Sequence, residues 1–221
     1  IDVVYNPYRT DFLIEAKLKG IKIVSGLEML IEQAYYSHKL FFHQTAIIDT
    51  ELITKKILLK HVNIVFIGMP ASGKTTIGRE IATALNKEHI DIDCEIEKKI
   101  KMSISEFFIK NGEKEFRQIE KEIIKKVSTY QGKVISLGGG SLMLEENIKN
   151  IMRNSILVFL NRDISFLKNK KDAYKTRPLL INNSFNKLYQ ERINTYKLCA
   201  DIEITSNGSI SETIKDVMHY L

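Results

Sequence analysis

From Val62 to Ile67 the chain is almost unbroken in apolar side chains, many β-branched (Val62-Asn63-Ile64-Val65-Phe66-Ile67). That is the pattern of a strand buried on both faces of a parallel sheet. A glycine-containing loop follows, and then a helical stretch predicted over Thr75 to Leu85. The same alternation recurs, with apolar segments at His89 to Ile92, Lys133 to Leu137, Ile156 to Leu160 and Asp201 to Thr205, separated by spacers long enough for helices. Five strands alternating with helices predict a doubly wound α/β sheet.

Ahead of this region the pattern differs. Ile1 to Val4 and Ile21 to Val24 read as short strands, with a helix between them ending before Gly20. Leu27, Leu30, Ile31, Ala34 and Tyr35 fall at the i, i+3, i+4, i+7, i+8 spacing of one buried helical face. His43 to Lys60 has no clean period and reads as a linker or short helix. Two short strands without sheet neighbours leave their edges open, so this piece is expected to be loosely ordered.

Composition narrows the classes. The 221 residues are 44% hydrophobic and 27% charged, which excludes a disordered or collagen-like chain. No apolar run approaches the ~18 residues of a membrane span. Cys94 and Cys199 stand far apart, and the five histidines form no HExxH or Cys/His cluster, so neither disulfide framework nor zinc site is signalled. A cytoplasmic, reducing setting is expected. The net charge is +6: residues 1–60 hold 8 basic and 7 acidic side chains, residues 61–221 hold 25 and 20. The excess suits a nucleic acid or a phosphorylated small molecule equally. The lysines are dispersed among glutamates, not interleaved with aromatics, which argues against a nucleic-acid partner. A start at Ile1 instead of Met is expected to mark the tail of something longer.

The loop after the first strand carries the most specific chemistry. Gly68-Met69-Pro70-Ala71-Ser72-Gly73-Lys74-Thr75 fits G-x-x-x-x-G-K-[ST] between a strand and a helix. Such a loop turns successive N–H groups and a helix N-terminus toward a phosphate chain. Lys74 is placed to reach the β/γ-phosphates and Thr75 to ligate Mg²⁺. The strand Val134-Ile135-Ser136-Leu137 ends in Gly138-Gly139-Gly140 and brings no acid. The nearest suitable carboxylates are Asp91 and Asp93. On an extended chain alternate residues point the same way, so both are expected to face one cleft, one serving the metal and the other a hydroxyl nucleophile; a solvated pair at a strand end is the alternative.

Taken together, Gly68 to Thr76 (GMPASGKTT), Asp91-Ile92-Asp93, Gly112 to Arg117 with Glu120 (GEKEFRQIE), Leu137 to Gly140 (LGGG), Arg177 to Leu180 (RPLL) and Arg192 before Tyr196 resemble a shikimate kinase over residues 61–221. The resemblance implies a P-loop kinase fold, a five-stranded parallel sheet flanked by helices with a mobile lid. It implies Mg²⁺ as cofactor, ATP and shikimate as small-molecule substrates, and a monomeric kinase domain with no membrane partner. ATP contacts are implied along Ala71, Ser72, Gly73, Lys74, Thr75 and Thr76, with Arg177 carried in by the lid. Metal contacts are implied at Thr75 and Asp91, and substrate contacts at Asp93, Arg117, Gly139, Gly140 and Arg192. Lys74, Asp93 and Arg177 are the implied catalytic residues. Arg117 and Glu120, one turn apart, equally suit a surface ion pair, and the lysines before Arg177 a solvated loop. Glycine usually stands where this chain has Ala71, and an adenine-stacking arginine is matched by Lys170.

Val3-Val4-Tyr5-Asn6-Pro7, Thr10, Gly26 to Leu30 and Gln33-Ala34 resemble the carboxy-terminal end of a shikimate dehydrogenase. There, positions like Tyr5 and Gln33 touch substrate, and one like Met29 lies near the nicotinamide. The eleven glycines form no G-x-G-x-x-G. The expected organisation is a dehydrogenase-like segment over 1–45, a linker over 46–60 and a kinase domain over 61–221. Rival readings are a kinase for another small hydroxylated acceptor such as gluconate, and a nucleotide-binding module without turnover.

Overall fold

A computed structural model of the chain describes residues 1–43, 48–168 and 185–221. Five parallel strands form one sheet: β1 (Asn63–Ile67), β2 (His89–Asp91), β3 (Val134–Ser136), β4 (Ser155–Asn161) and β5 (Ile202–Thr205), in the order β2-β3-β1-β4-β5. All five stand where the apolar segments predicted them. β1 is central, with Ile64, Val65 and Phe66 fully buried and registered on Val134, Ile135 and Ser136 of one neighbour. On its other side Ile64 to Ile67 register with Ile156 to Phe159.

Among the described residues, seven helices lie between or after these strands. They are α4 (Lys74–Ala84), α5 (Ile92–Ile100), α6 (Ile104–Val127), α7 (Glu145–Met152), α8 (Ile164–Lys168), α9 (Phe185–Cys199) and α10 (Ile210–Tyr220). Helices α4 and α10 pack on one face of the sheet, where Ile77, Ile81 and Val217 meet Ile64, Phe66 and Leu160. On the other face Ile96, Phe116, Ile124, Ile151 and Tyr196 meet Val65, Ile67 and Phe159. The sheet is therefore covered on both sides, as its uninterrupted apolar strands require. Ser103 and Ser209 each close a reciprocal capping box with the glutamate three residues on, which starts α6 and α10.

Among the described residues, three helices precede β1: α1 (Asp11–Leu18), α2 (Gly26–Phe42) and α3 (Thr50–His61). Helix α3 occupies most of the stretch expected as a linker or short helix, begun by Asp49, whose Oδ1 accepts from Leu52 N at 2.9 Å. Residues 1–4 and 21–24 are extended but form no ladder; Asp2 N donates to Val24 O and Gly26 N to Val4 O, both at 3.1 Å. With no third strand to pair, two such segments do not build a sheet. On α2 the predicted face is half right: Leu27 and Ile31 are buried, whereas Leu30 and Ala34 are exposed.

The expected looseness of this segment is corrected for residues 9–18. Leu13 and Ile14 are fully buried, and Ile14 belongs to the same cluster as Ile151, Leu157 and Cys199. Apolar contact with the sheet's own helices supplies what missing strand neighbours do not.

Candidate functional site

The phosphate loop runs from the end of β1 into α4. Gly73 (φ 97°) and Ala71 (φ 62°) both adopt left-handed backbone conformations, which bend the loop back over the first turn of the helix. Lys74 is buried, and its Nζ donates to Gly68 O (2.9 Å) and Met69 O (2.8 Å), holding the ammonium inside the loop. Ser72 is buried, and its Oγ has no hydrogen-bond partner among the described residues. Thr76 faces outward.

Thr75 Oγ1 donates to Asp91 Oδ2 at 2.6 Å, so the first turn of α4 and the end of β2 meet through two side-chain oxygens. Mg²⁺ takes one or two protein oxygens and completes its shell with water and phosphate, and this pair fits that demand. Among the described residues no group of three or more His, Cys, Asp or Glu side chains gathers as a fuller metal cage.

Asp93 reaches the site by a route other than the predicted one. Residues 91–93 are not an extended run: β2 stops at Asp91, which caps α5 by accepting from Cys94 N at 3.1 Å, and Asp93 lies in the first helical turn. Strand alternation is therefore the wrong reason for the two carboxylates converging. Asp91 turns toward Thr75, while Asp93 lies against the glycine loop, where a methyl on Gly138 would stand 2.8 Å from Asp93 Oδ1.

A cavity of about 500 Å³ opens beside that loop. Its polar lining comes from Asp93, Arg117, Glu120, Arg192 and the Gly138–Gly140 backbone, and its apolar wall from Ile104, Phe108, Phe116 and Leu188. Pro70 is where the phosphate loop borders it; Lys74 and Thr75 lie outside. Arg117 Nη1 donates to Glu120 Oε2 at 2.6 Å, and Ser141 Oγ donates to Glu120 Oε1 at 2.7 Å. Burial works against charge on Arg117, but Glu120 and Glu113 outweigh it and hold its pKa above the ordinary arginine value. A methyl on Gly140 would sit 2.6 Å from Arg117 Nη2 and displace the guanidinium. Gly139 packs against Pro70 and accepts from the Tyr196 hydroxyl. Arg192, only 6% exposed, has no ion pair among the described residues.

Eleven of the predicted positions thus gather around two adjoining places: Ala71, Ser72, Gly73, Lys74, Thr75 and Asp91 at the loop, Asp93, Arg117, Gly139, Gly140 and Arg192 at the cavity, with Pro70 between them. Arg177, Lys170 and the expected lid lie outside the described residues. Sequence reasoning missed Ser141, which orients Glu120, and the apolar wall, whose residues look like any core positions before the helices are placed.

A strand-loop-helix phosphate cradle in a five-stranded parallel sheet, with a Thr–Asp oxygen pair and a guanidinium-lined cavity adjoining it, defines the class as a P-loop phosphotransferase of small molecules. Comparison with known proteins narrows the class. The shikimate kinase family model matches residues 70–221. Shikimate kinase of Caldicellulosiruptor saccharolyticus is 41% identical over 150 residues, 66% of this chain and 86% of that protein. That of Pelotomaculum thermopropionicum is 31% identical over 163 residues, covering 72% and 95%. The structure of shikimate kinase from Acinetobacter baumannii in complex with shikimate superposes with a TM-score of 0.70 at 27% identity, covering 75% of this chain and 95% of that one. The Aquifex aeolicus enzyme gives 0.61 at 30% identity, covering 72% and 94%. The chain belongs to the shikimate kinase family and is a kinase. The family match does not extend to residues 1–69, and among the described residues no helix is long and apolar enough to cross a membrane.

Proposed function

We propose that the chain transfers the γ-phosphoryl group of ATP to the 3-hydroxyl of shikimate, giving 3-phosphoshikimate and ADP on the route to chorismate and the aromatic amino acids. The observation that carries this reading is the cavity in which two arginines and Asp93 surround a glycine loop. Shikimate is a cyclic carboxylate with three hydroxyls, and guanidinium forks with a hydroxyl-accepting carboxylate are the groups such a molecule needs. Arg192 has no carboxylate partner among the described residues, and Arg117 is fixed from behind by Glu120. Arg192 is thus the guanidinium left for an anion, while Arg117, paired with both Glu120 and Glu113, would share its fork with one.

Phosphoryl transfer depends on positioning and electrostatics more than on covalent chemistry. Lys74 neutralises the β/γ-phosphates within the loop, and Ser72 Oγ offers a further donor. Thr75 and Asp91 would hold Mg²⁺, which when bound supplies charge neutralisation across the phosphates. Asp93 accepts the proton of the acceptor hydroxyl and aligns it for attack. Arg177, outside the described residues, keeps its expected part of offsetting the charge that develops on the γ-phosphoryl.

ADP release should be stimulated by shikimate over gluconate and over no acceptor, and Asp93→Asn should bind nucleotide nearly as well while losing turnover by about 10² or more. No stimulation over water would defeat the substrate assignment; a turning-over Asp93→Asn would defeat the role of Asp93. A gluconate kinase is disfavoured by the apolar lining of Ile104, Phe108, Phe116 and Leu188, which suits a ring better than an open polyol chain.

For residues 1–45 the reading remains a shikimate dehydrogenase-like carboxy-terminal segment in a fused protein, followed by 46–60 and a kinase domain over 61–221. It rests on the quoted residues; Tyr5, Met29 and Gln33, which match ligand-facing positions there, are exposed. A monomeric, cytoplasmic kinase domain completes the proposal.

A further inference from the structure

The tie between residues 9–18 and the sheet is more than a packing contact. Arg9 is 3% exposed, and its guanidinium reaches three separate elements. Nη1 donates to Ser155 O (2.6 Å) at the start of β4 and to Met152 O (3.2 Å) at the end of α7, and Nη2 donates to Asp201 Oδ1 (2.7 Å) in the turn from α9 to β5. Its backbone N–H donates to Arg153 O at 2.9 Å, and Arg153 returns a two-pronged pair to Asp11 at 3.0 and 2.9 Å. Asp201 is held in turn: its Oδ2 accepts from Leu157 N at 2.9 Å, and Lys17 Nζ also pairs with it.

These elements flank the acceptor cavity. Helix α7 continues directly from the glycine loop through the 3-10 turn Ser141–Met143. Helix α9 carries Arg192 and Tyr196, and the Tyr196 hydroxyl donates to Gly139 O while its ring packs on Phe159 at 5.4 Å. Helix α1 packs against both. Arg9 therefore ties the C-terminal end of α7, the helix that follows the glycine loop, to the turn that leaves α9, the helix that carries Arg192 and Tyr196. A guanidinium fork fits such a task because its planar donors fix several acceptors at once.

We propose that residues 9–18 are a working part of the kinase site, with Arg9 a positioning residue that sets α9, and so Arg192 and Tyr196, against the Gly138–Gly140 loop for the acceptor. The inference rests on shikimate being that acceptor only where it is read through activity. It gives a segment outside the family match a role in substrate binding.

The test uses the full 221-residue chain. Arg9→Met should raise KM for shikimate about tenfold while leaving KM for ATP within about twofold, since small misplacements of a binding group are felt where that group acts. Arg9→Lys, which keeps charge at Asp201 but gives up the fork over Ser155 and Met152, should fall between, and carries the test if Arg9→Met does not fold. In both, ligand-free amide exchange in residues 185–199 should quicken while that of α4 stays unchanged. Equal rises in both KM values, or unchanged KM values with only a lower Tm, would reduce Arg9 to a structural tie and overturn the proposal. If the wild-type chain does not phosphorylate shikimate, the substrate reading fails by itself, and exchange still decides: unaltered exchange in residues 185–199 overturns the positioning role.

Discussion

At the scale of single residues the phosphate loop holds a conformational cost in Ala71. Its φ of 62° places a Cβ against the neighbouring carbonyl, a conflict of about 1–2 kcal/mol for an L-residue outside glycine. The resembling kinases usually have glycine there, so this chain has given up a relaxed loop for one with fewer unfolded conformations. Ala71→Gly should raise stability by about 0.5–1 kcal/mol, the strain relieved less the added unfolded-state entropy. The urea midpoint would move up at unchanged slope; a fall would mean that the loop needs the methyl. Asp93 shows how legible a residue can be for a mistaken reason. Residue type and spacing marked it, yet a capping carboxylate at Asp91 turns the chain into a helix before Asp93 is reached. Caps are visible in sequence only once the strand's last residue is known.

At the scale of elements, the five strands and α4 were legible because each is a local apolar run closed by glycine or a polar turn. What was not legible is burial decided at long range. Ala34 and Leu30 share a helical face with Ile31 and remain exposed, whereas Arg9 and Glu120, charged residues by type, are buried through partners far along the chain. Gly112, read from the sequence only as part of a motif, shows a local device. It interrupts α6 with φ 82° and ψ 174°, a region essentially reserved for glycine, and lets Phe108 on one arm meet Phe116 on the other at 4.6 Å. A methyl at Gly112 would touch nothing within 4 Å, so Gly112→Ala isolates the backbone cost. Stability should fall by about 1–3 kcal/mol. Because Arg117 sits on one arm and Ile104 and Phe108 of the cavity wall on the other, shikimate KM should rise with it, and a variant matching wild type in both would show that the bend is not needed.

At the scale of the whole molecule, the question is where the folding unit begins. The family match starts at residue 70, yet the core recruits Ile14 from far upstream, fully buried in the cluster that also contains Val65, Ile67 and Phe159 of the central strands. A side chain at that depth is coupled to everything the cluster holds, because interiors pack without slack and a lost methylene is felt by its neighbours. Ile14→Ala should therefore destabilise the entire chain by about 2–5 kcal/mol, seen as a lower urea midpoint for one cooperative transition. If residues 1–60 were an appendage to a self-sufficient kinase, the same substitution would leave the main transition in place and at most add a small early one. Following unfolding by far-ultraviolet circular dichroism and by shikimate-dependent ADP release separates the two outcomes. Coincident curves shifted together place Ile14 inside the kinase's folding unit, and an unshifted activity curve removes it.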